Sequence, residues 1–100
     1  MFVVTGYLTI DPAKRGDLEA AVQTAIPAFH QEEGCIDYRF SADLTDPARI
    51  MIAEQWADEA AMDAHMAGEA FATFMAAIGP CVAGDVSVVR HEVATSTTLF

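Results

Sequence analysis

Residues 49–75 read RIMIAEQWADEAAMDAHMAGEAFATFM. From Arg49 to Trp56 the pattern alternates, with Ile50, Ile52, Glu54 and Trp56 on one face, the period of a strand that turns one face to a core. Asp58 then stands where the N-cap of a helix belongs, its carboxylate placed to accept from free backbone N–H groups, and Glu59 suits the positive end of the helix dipole. On that helix Met62, His65 and Met66 share a face until Gly68 breaks the run. Glu69 to Ile78 sets Phe71, Phe74, Met75 and Ile78 along one stripe before Gly79-Pro80 stops it. A buried strand followed by two short helices is the unit against which the other elements must pack.

Upstream, Thr45-Asp46-Pro47-Ala48 has the composition of a tight turn and joins this strand to an earlier one, Cys35 to Asp43, as a hairpin. In that earlier strand Ile36, Tyr38, Phe40 and Ala42 share one side, and Cys35, Asp37, Arg39 and Ser41 share the other. Further back, Leu18, Val22, Ile26 and Phe29 recur at helical spacing, with Asp11-Pro12 or Asp17 as the start. Pro27 should kink this helix or loosen its last turn, and Gly34 should end it in the manner of a C′ glycine. Phe2 to Ile10 is a first strand, in which Gly6 marks a bulge or a place where a ligand or another backbone comes close. Val86 to Ala94 is a fourth strand, and Thr95 to Phe100 is a polar tail ending in Leu-Phe.

The order β-α-β-β-α-β predicts an α+β, ferredoxin-like fold in which a four-stranded antiparallel sheet carries its helices on one face. Strands one, two and four have apolar or amphipathic residues on both sides, so the second face of the sheet calls for cover, most economically by a symmetric copy of the chain. A homodimer is expected. With 100 residues, 53% of them hydrophobic, the chain forms one domain with a single core. That core spans about residues 2–93, and 94–100 is a tail.

Fifteen acidic residues against five basic ones give a formal charge of −10, which repels nucleic-acid phosphate and anionic lipid. The first residues lack the basic n-region of a secretory signal, and the longest uncharged run, Ala70 to Gly84, falls short of a membrane span. Two cysteines, Cys35 and Cys81, lack CxxC spacing and read as reduced thiols. The expectation is a cytoplasmic protein with no nucleic-acid or membrane partner.

His65 is the catalytic candidate: an imidazole on an apolar helix face can hydrogen-bond a substrate oxygen or move a proton near neutral pH. The plain alternative is a histidine at the edge of the core, satisfied by a backbone carbonyl. Glu54, on a strand face with Ile50 and Ile52, must be paired, protonated or wet, because an isolated buried carboxylate is very costly. Arg39 or Arg90 would be its ordinary partner. Trp56 offers a flat surface to an aromatic ligand and Tyr38 a phenol, while Phe71, Phe74, Met62 and Met75 make a soft lining that serves a pocket or a core equally well. The spacing of His30, Glu33, Cys35 and His91 matches no metal motif, so no metal is expected.

The run Glu33-Gly34-Cys35 followed by Tyr38, and the order Glu54-x-Trp56-x-Asp58-x-x-Ala61-x-x-x-His65 with Phe71 and Phe74 beyond it, resemble the antibiotic biosynthesis monooxygenase domain family over nearly the whole chain. The resemblance implies a dimeric α+β barrel with a pocket in each subunit between sheet and helices. For several members it implies oxidation of a polycyclic phenol or quinol by O2 without metal or flavin. Carried onto this sequence, it makes His65 the base or hydrogen-bond partner, lets Trp56 and Tyr38 orient the ring, and has Phe71, Phe74 and Met75 exclude water. The similar haem-degrading branch aligns its axial histidine near Met75, its pocket tryptophan near His65 and its strand-one asparagine near Gly6, so haem is not an expected cofactor. Other readings are an isomerase of the same family, or a non-catalytic dimeric module that binds a hydrophobic metabolite in the same pocket.

Overall fold

The computed structural model describes all residues from Met1 to Phe100. Four strands, β1 (Phe2–Ile10), β2 (Cys35–Ala42), β3 (Arg49–Trp56) and β4 (Val82–Glu92), form one sheet in the order β2-β3-β1-β4, and every neighbouring pair is antiparallel. Three helices, α1 (Arg15–His30), α2 (Glu59–Met66) and α3 (Glu69–Ile78), lie against one face. This is the α+β ferredoxin-like arrangement expected from the element order. No helix is long and apolar enough to cross a membrane.

Local chemistry explains where the elements start and stop. Asp11 caps a single 3-10 turn, Pro12–Lys14, that leads into α1. Pro27 lies on the solvent side of α1 and does not end it; helical structure runs on to His30 with Gln31 as its C-cap. Gly34 therefore ends not the helix but the turn after it, where its φ of +79° is a conformation that glycine adopts freely. A Cβ there would stand 2.4 Å from the Ala61 Cβ, so the chain entering β2 rests directly on α2. In the β2–β3 hairpin the Arg49 N–H donates to the Asp46 carbonyl across Pro47-Ala48, and the Asp46 side chain accepts from the Ala48 N–H. Asp58 caps α2 by accepting from the Ala61 N–H at 2.8 Å.

The core lies between the helices and the inward residues of β1, β2 and β3, with Val4, Leu18, Phe29 and Trp56 among its most enclosed members. Strand β3 alternates throughout, and Glu54 is buried with Ile50, Ile52 and Trp56. Strand β2 does not. Its register with β3 slips between Cys35 and Asp37, so Cys35 opposite Trp56 and Tyr38 opposite Glu54 both turn inward while two residues between them turn out. Ile36 is consequently 55% exposed rather than part of the inward row that simple alternation predicts. Strand β4 begins four residues before its predicted start and carries an irregularity opposite the Leu8–Ile10 segment of β1.

The close approach expected at Gly6 is made by backbone: a Cβ there would lie 2.1 Å from the Ser87 carbonyl oxygen of β4. A methyl group cannot fit without parting the strands. Gly6→Ala should lower stability by about 1–3 kcal/mol, read as a lower urea midpoint at constant slope. An unchanged midpoint would contradict this geometry.

Candidate functional site

The centre of the helix-covered layer is a histidine enclosed by aromatic rings. Residues 62 and 65 of α2, one helical turn apart, both point at the sheet, and His65 is 1% exposed. Its ring centroid lies 4.6 Å from that of Trp56, 4.7 Å from Phe29, 4.9 Å from Phe71 and 5.4 Å from Tyr38. Phe29 stands edge-on to it, a favourable electrostatic arrangement of ring quadrupoles, and also edge-on to Phe74.

The polar groups of this cluster reach it from three elements. His65 Nδ1 lies 2.9 Å from Glu32 Oε1, an oxygen supplied by the short turn between α1 and β2. A carboxylate only accepts, so Nδ1 carries a proton, and in the neutral ring this leaves the lone pair on Nε2. Nε2 is buried with no hydrogen-bond partner. On β3, the Trp56 indole N–H donates to Glu54 Oε1 at 2.9 Å, both side chains being buried. The β2–β3 register sets Tyr38 directly opposite Glu54, and the Tyr38 hydroxyl donates toward the same carboxylate.

Burial raises the Glu54 carboxyl above its ordinary value, against the stabilising influence of the Trp56 N–H, His65 and the Tyr38 hydroxyl. Burial, reinforced by the negative charge of Glu54, holds the Tyr38 phenol well above its usual range, so it stays a neutral hydrogen-bonding group. The Cys35 thiol is likewise pushed up, first by burial and then by Glu32 and Glu54, and is not a reactive thiolate.

The structure brings His65, Trp56, Tyr38, Phe71, Phe74 and Met62 into one layer. It leaves Met75 47% exposed and Met66 53% exposed, so Met66 does not share the buried face of Met62 and His65. Neither arginine anticipated for Glu54 serves it: Arg39 binds Asp37 at 2.8 Å, and Arg90 lies 3.6 Å from Glu59 and over the Phe2 ring. The buried carboxylate is satisfied by neutral donors instead. Glu32 and Phe29 belong to the cluster although sequence reasoning gave them no such place. Phe29 was visible only as part of a helix stripe, and Glu32 had no signal, being 33 residues from its partner.

The rings fill the space between helices and sheet, and the nearest concavities lie around them. A groove of about 660 Å³ between α1 and β2 is bordered by Tyr38 and Phe40. Another of about 830 Å³ between α1 and α3 reaches Phe74, and a third of about 610 Å³ has Glu32 on its rim. Tyr38 is thus one ring from His65 on one side and borders a groove on the other.

The sequence profile of the antibiotic biosynthesis monooxygenase family matches residues 1–77. An uncharacterized protein of Synechocystis sp. is 30% identical over 97% of this chain, which spans 66% of that protein's length. A Bacillus subtilis protein named "Putative monooxygenase YcnE" is 28% identical over 92% of this chain and 97% of its own. A solved structure from Deinococcus radiodurans superposes with a TM-score of 0.90 at 24% identity, covering 100% of this chain and 99% of the other, a likeness of fold.

The raised Glu54 carboxyl has a measurable sign. Between the ordinary carboxylate range and the raised value, the folded chain holds a proton that the unfolded chain releases, so this group's contribution to stability falls as pH rises through that window. Glu54→Gln keeps an acceptor for the Trp56 indole and has no proton to lose. Its stability relative to the parent should improve as pH is raised from about 4 to about 8 in urea titrations, whereas a pH-independent difference would contradict the burial argument.

Proposed function

This chain belongs to the antibiotic biosynthesis monooxygenase family, and we propose that it oxidises a small aromatic phenol or quinol with O2, using His65 as the base and no cofactor. The observation that carries the reading is His65 itself, a buried imidazole whose Nδ1 is occupied and whose Nε2 is left unpaired among aromatic rings. A general base needs a nitrogen whose lone pair is not already used by the protein, and Nε2 is that nitrogen. The Bacillus subtilis relative's name points to the same reaction class.

In this reading a substrate ring enters from the groove bordered by Tyr38 and Phe40 and takes up contacts that the aromatic side chains now make with one another. Trp56 and Tyr38 set the plane of the ring, while Phe71, Phe74 and Met62 exclude water; Met75, at the surface, has at most a place near the entrance. His65 Nε2 removes the phenolic proton, and the electron-rich anion passes electrons to O2. A carbon–oxygen bond forms at a ring C–H position to give a hydroperoxide. The O–O bond then breaks: one oxygen stays as a quinone carbonyl, and the other leaves as water with the two hydrogens lost by the substrate. Phenol plus O2 becomes quinone plus water, and His65 returns its proton in the second half. General base catalysis of this kind contributes about 10²–10⁴-fold.

Oxygen uptake should be measured with a panel of mono- and polycyclic phenols and quinols. The expected outcome is turnover by the parent protein and a fall of about 10²-fold or more in His65→Ala. Equal uptake by a folded His65→Ala variant, or ligand binding without uptake across the panel, would reject the mechanism.

The sheet's outer face supports a homodimer. Arg49 lies over the Tyr7 ring at 4.0 Å there, and Met51 and Val89 are exposed beside it. A second copy would bury this apolar surface. Light scattering at micromolar concentration should return twice the 10.7 kDa chain mass; a monomer mass would reject the dimer. A cytoplasmic setting, where thiols stay reduced, fits the two free cysteines.

A further inference from the structure

We propose that Glu32 is the positioning residue of this site: it fixes the tautomer of the neutral His65 ring, so that Nε2 is the bare nitrogen before proton transfer, and it balances the positive charge that His65 carries between taking and returning a proton. The chemical use of that nitrogen rests on the oxidation proposed above; the tautomer and charge pairing do not.

The geometry supports three separate points. First, Glu32 Oε1 is the hydrogen-bond partner of His65, at 2.9 Å, and the rings of Phe29, Trp56 and Phe71 pack around the imidazole. A neutral imidazole has one N–H, and the acceptor-only carboxylate decides which nitrogen holds it. Second, the two side chains differ in their access to water: His65 is 1% exposed and Glu32 is 25% exposed. Glu32 therefore keeps contact with water beside its concavity while reaching a group that water does not. An imidazolium buried without a counter-charge would be very costly, so the pair makes the protonated intermediate accessible. Third, the backbone holds Glu32 in place. The Glu32 N–H donates to the Phe29 carbonyl, its own carbonyl accepts from the Cys35 N–H, and Gly34 lets the turn rest on Ala61 one helical turn before His65. The other carboxylate oxygen lies near Gly68, the N-cap of α3, where a helix dipole favours negative charge.

Other titratable groups face His65 as well. Glu54 approaches from β3 and bears on His65 electrostatically, and the Tyr38 ring approaches from β2, with Cys35 of the same strand close to Glu32 and Glu54. α3 contributes the Phe71 ring. Burial disfavours the charged forms of Glu54, Tyr38 and Cys35, which leaves Glu32 as the group suited to carry full negative charge beside the imidazole.

The test is nitrogen NMR of protein labelled in its histidine rings, recorded across pH and assigned by the signal lost in His65→Ala, together with the pH profile of oxygen uptake for each variant. In the parent, His65 should show a protonated Nδ1 and a bare Nε2. Glu32→Gln retains an acceptor oxygen and removes the charge. It should keep that tautomer, move the His65 titration down by about one unit or more, shift the low-pH limb of kcat/KM by the same amount, and lower the plateau about tenfold or more. Glu32→Ala should also mix the tautomers. A parent spectrum with the proton on Nε2 would overturn the proposal. So would a Glu32→Gln variant that loses stability while leaving the His65 titration where it was. If the parent consumes no oxygen with any phenol or quinol, the oxidation reading fails, and the NMR result still decides the role of Glu32.

Discussion

Successive side chains of a strand point to opposite faces, so seating Ile50 and Ile52 in the core also forces Glu54 and Trp56 into it. This constraint shapes the rest of the site. A carboxylate carried inward by the pleat must find donors or give up its charge. The one available two residues along the same face is the Trp56 indole, and the one opposite in β2 is the Tyr38 hydroxyl. Packing two such polar residues beside an aromatic layer makes the centre of this small core a place where protons are held rather than merely excluded.

The bulge at Ile36 follows from the same layer. Regular alternation would turn Cys35 away from the core if Tyr38 faced in; one extra residue lets Cys35 meet Trp56 and Tyr38 meet Glu54 at the cost of exposing Ile36. The turn before β2 is drawn tightly onto α2 by Gly34, and that contact sets Glu32 beside His65. Backbone geometry at the α1–β2 connection and side-chain chemistry at the site are therefore one arrangement. A family scaffold accommodates many activities, but an acceptor-only carboxylate on one imidazole nitrogen and nothing on the other is a specific chemical statement.

The rings around His65 also stabilise the core. The interlocking rings favour an enclosed core, each well-placed aromatic pair adding about 0.5–1.5 kcal/mol beyond buried area. In the neutral ring Nε2 is an acceptor, so a hydroxyl group brought to it would be hydrogen-bonded.

Periodicity and punctuation along the chain determined the element order, the alternation of β3, the Asp58 cap and the Phe71, Phe74 and Ile78 face of α3. These depend on contacts within a few residues, where spacing and backbone chemistry are decisive. Only the tertiary structure decided that Ile36 faces out, that Glu54 is served by Trp56 and Tyr38 in place of Arg39 or Arg90, that Met66 and Met75 lie at the surface, and that Glu32 holds His65. Each of those outcomes depends on which distant segments meet. A one-residue slip of strand register or a tight turn resting on a helix is set by the packing of the whole layer, and it leaves no periodic trace in the local sequence.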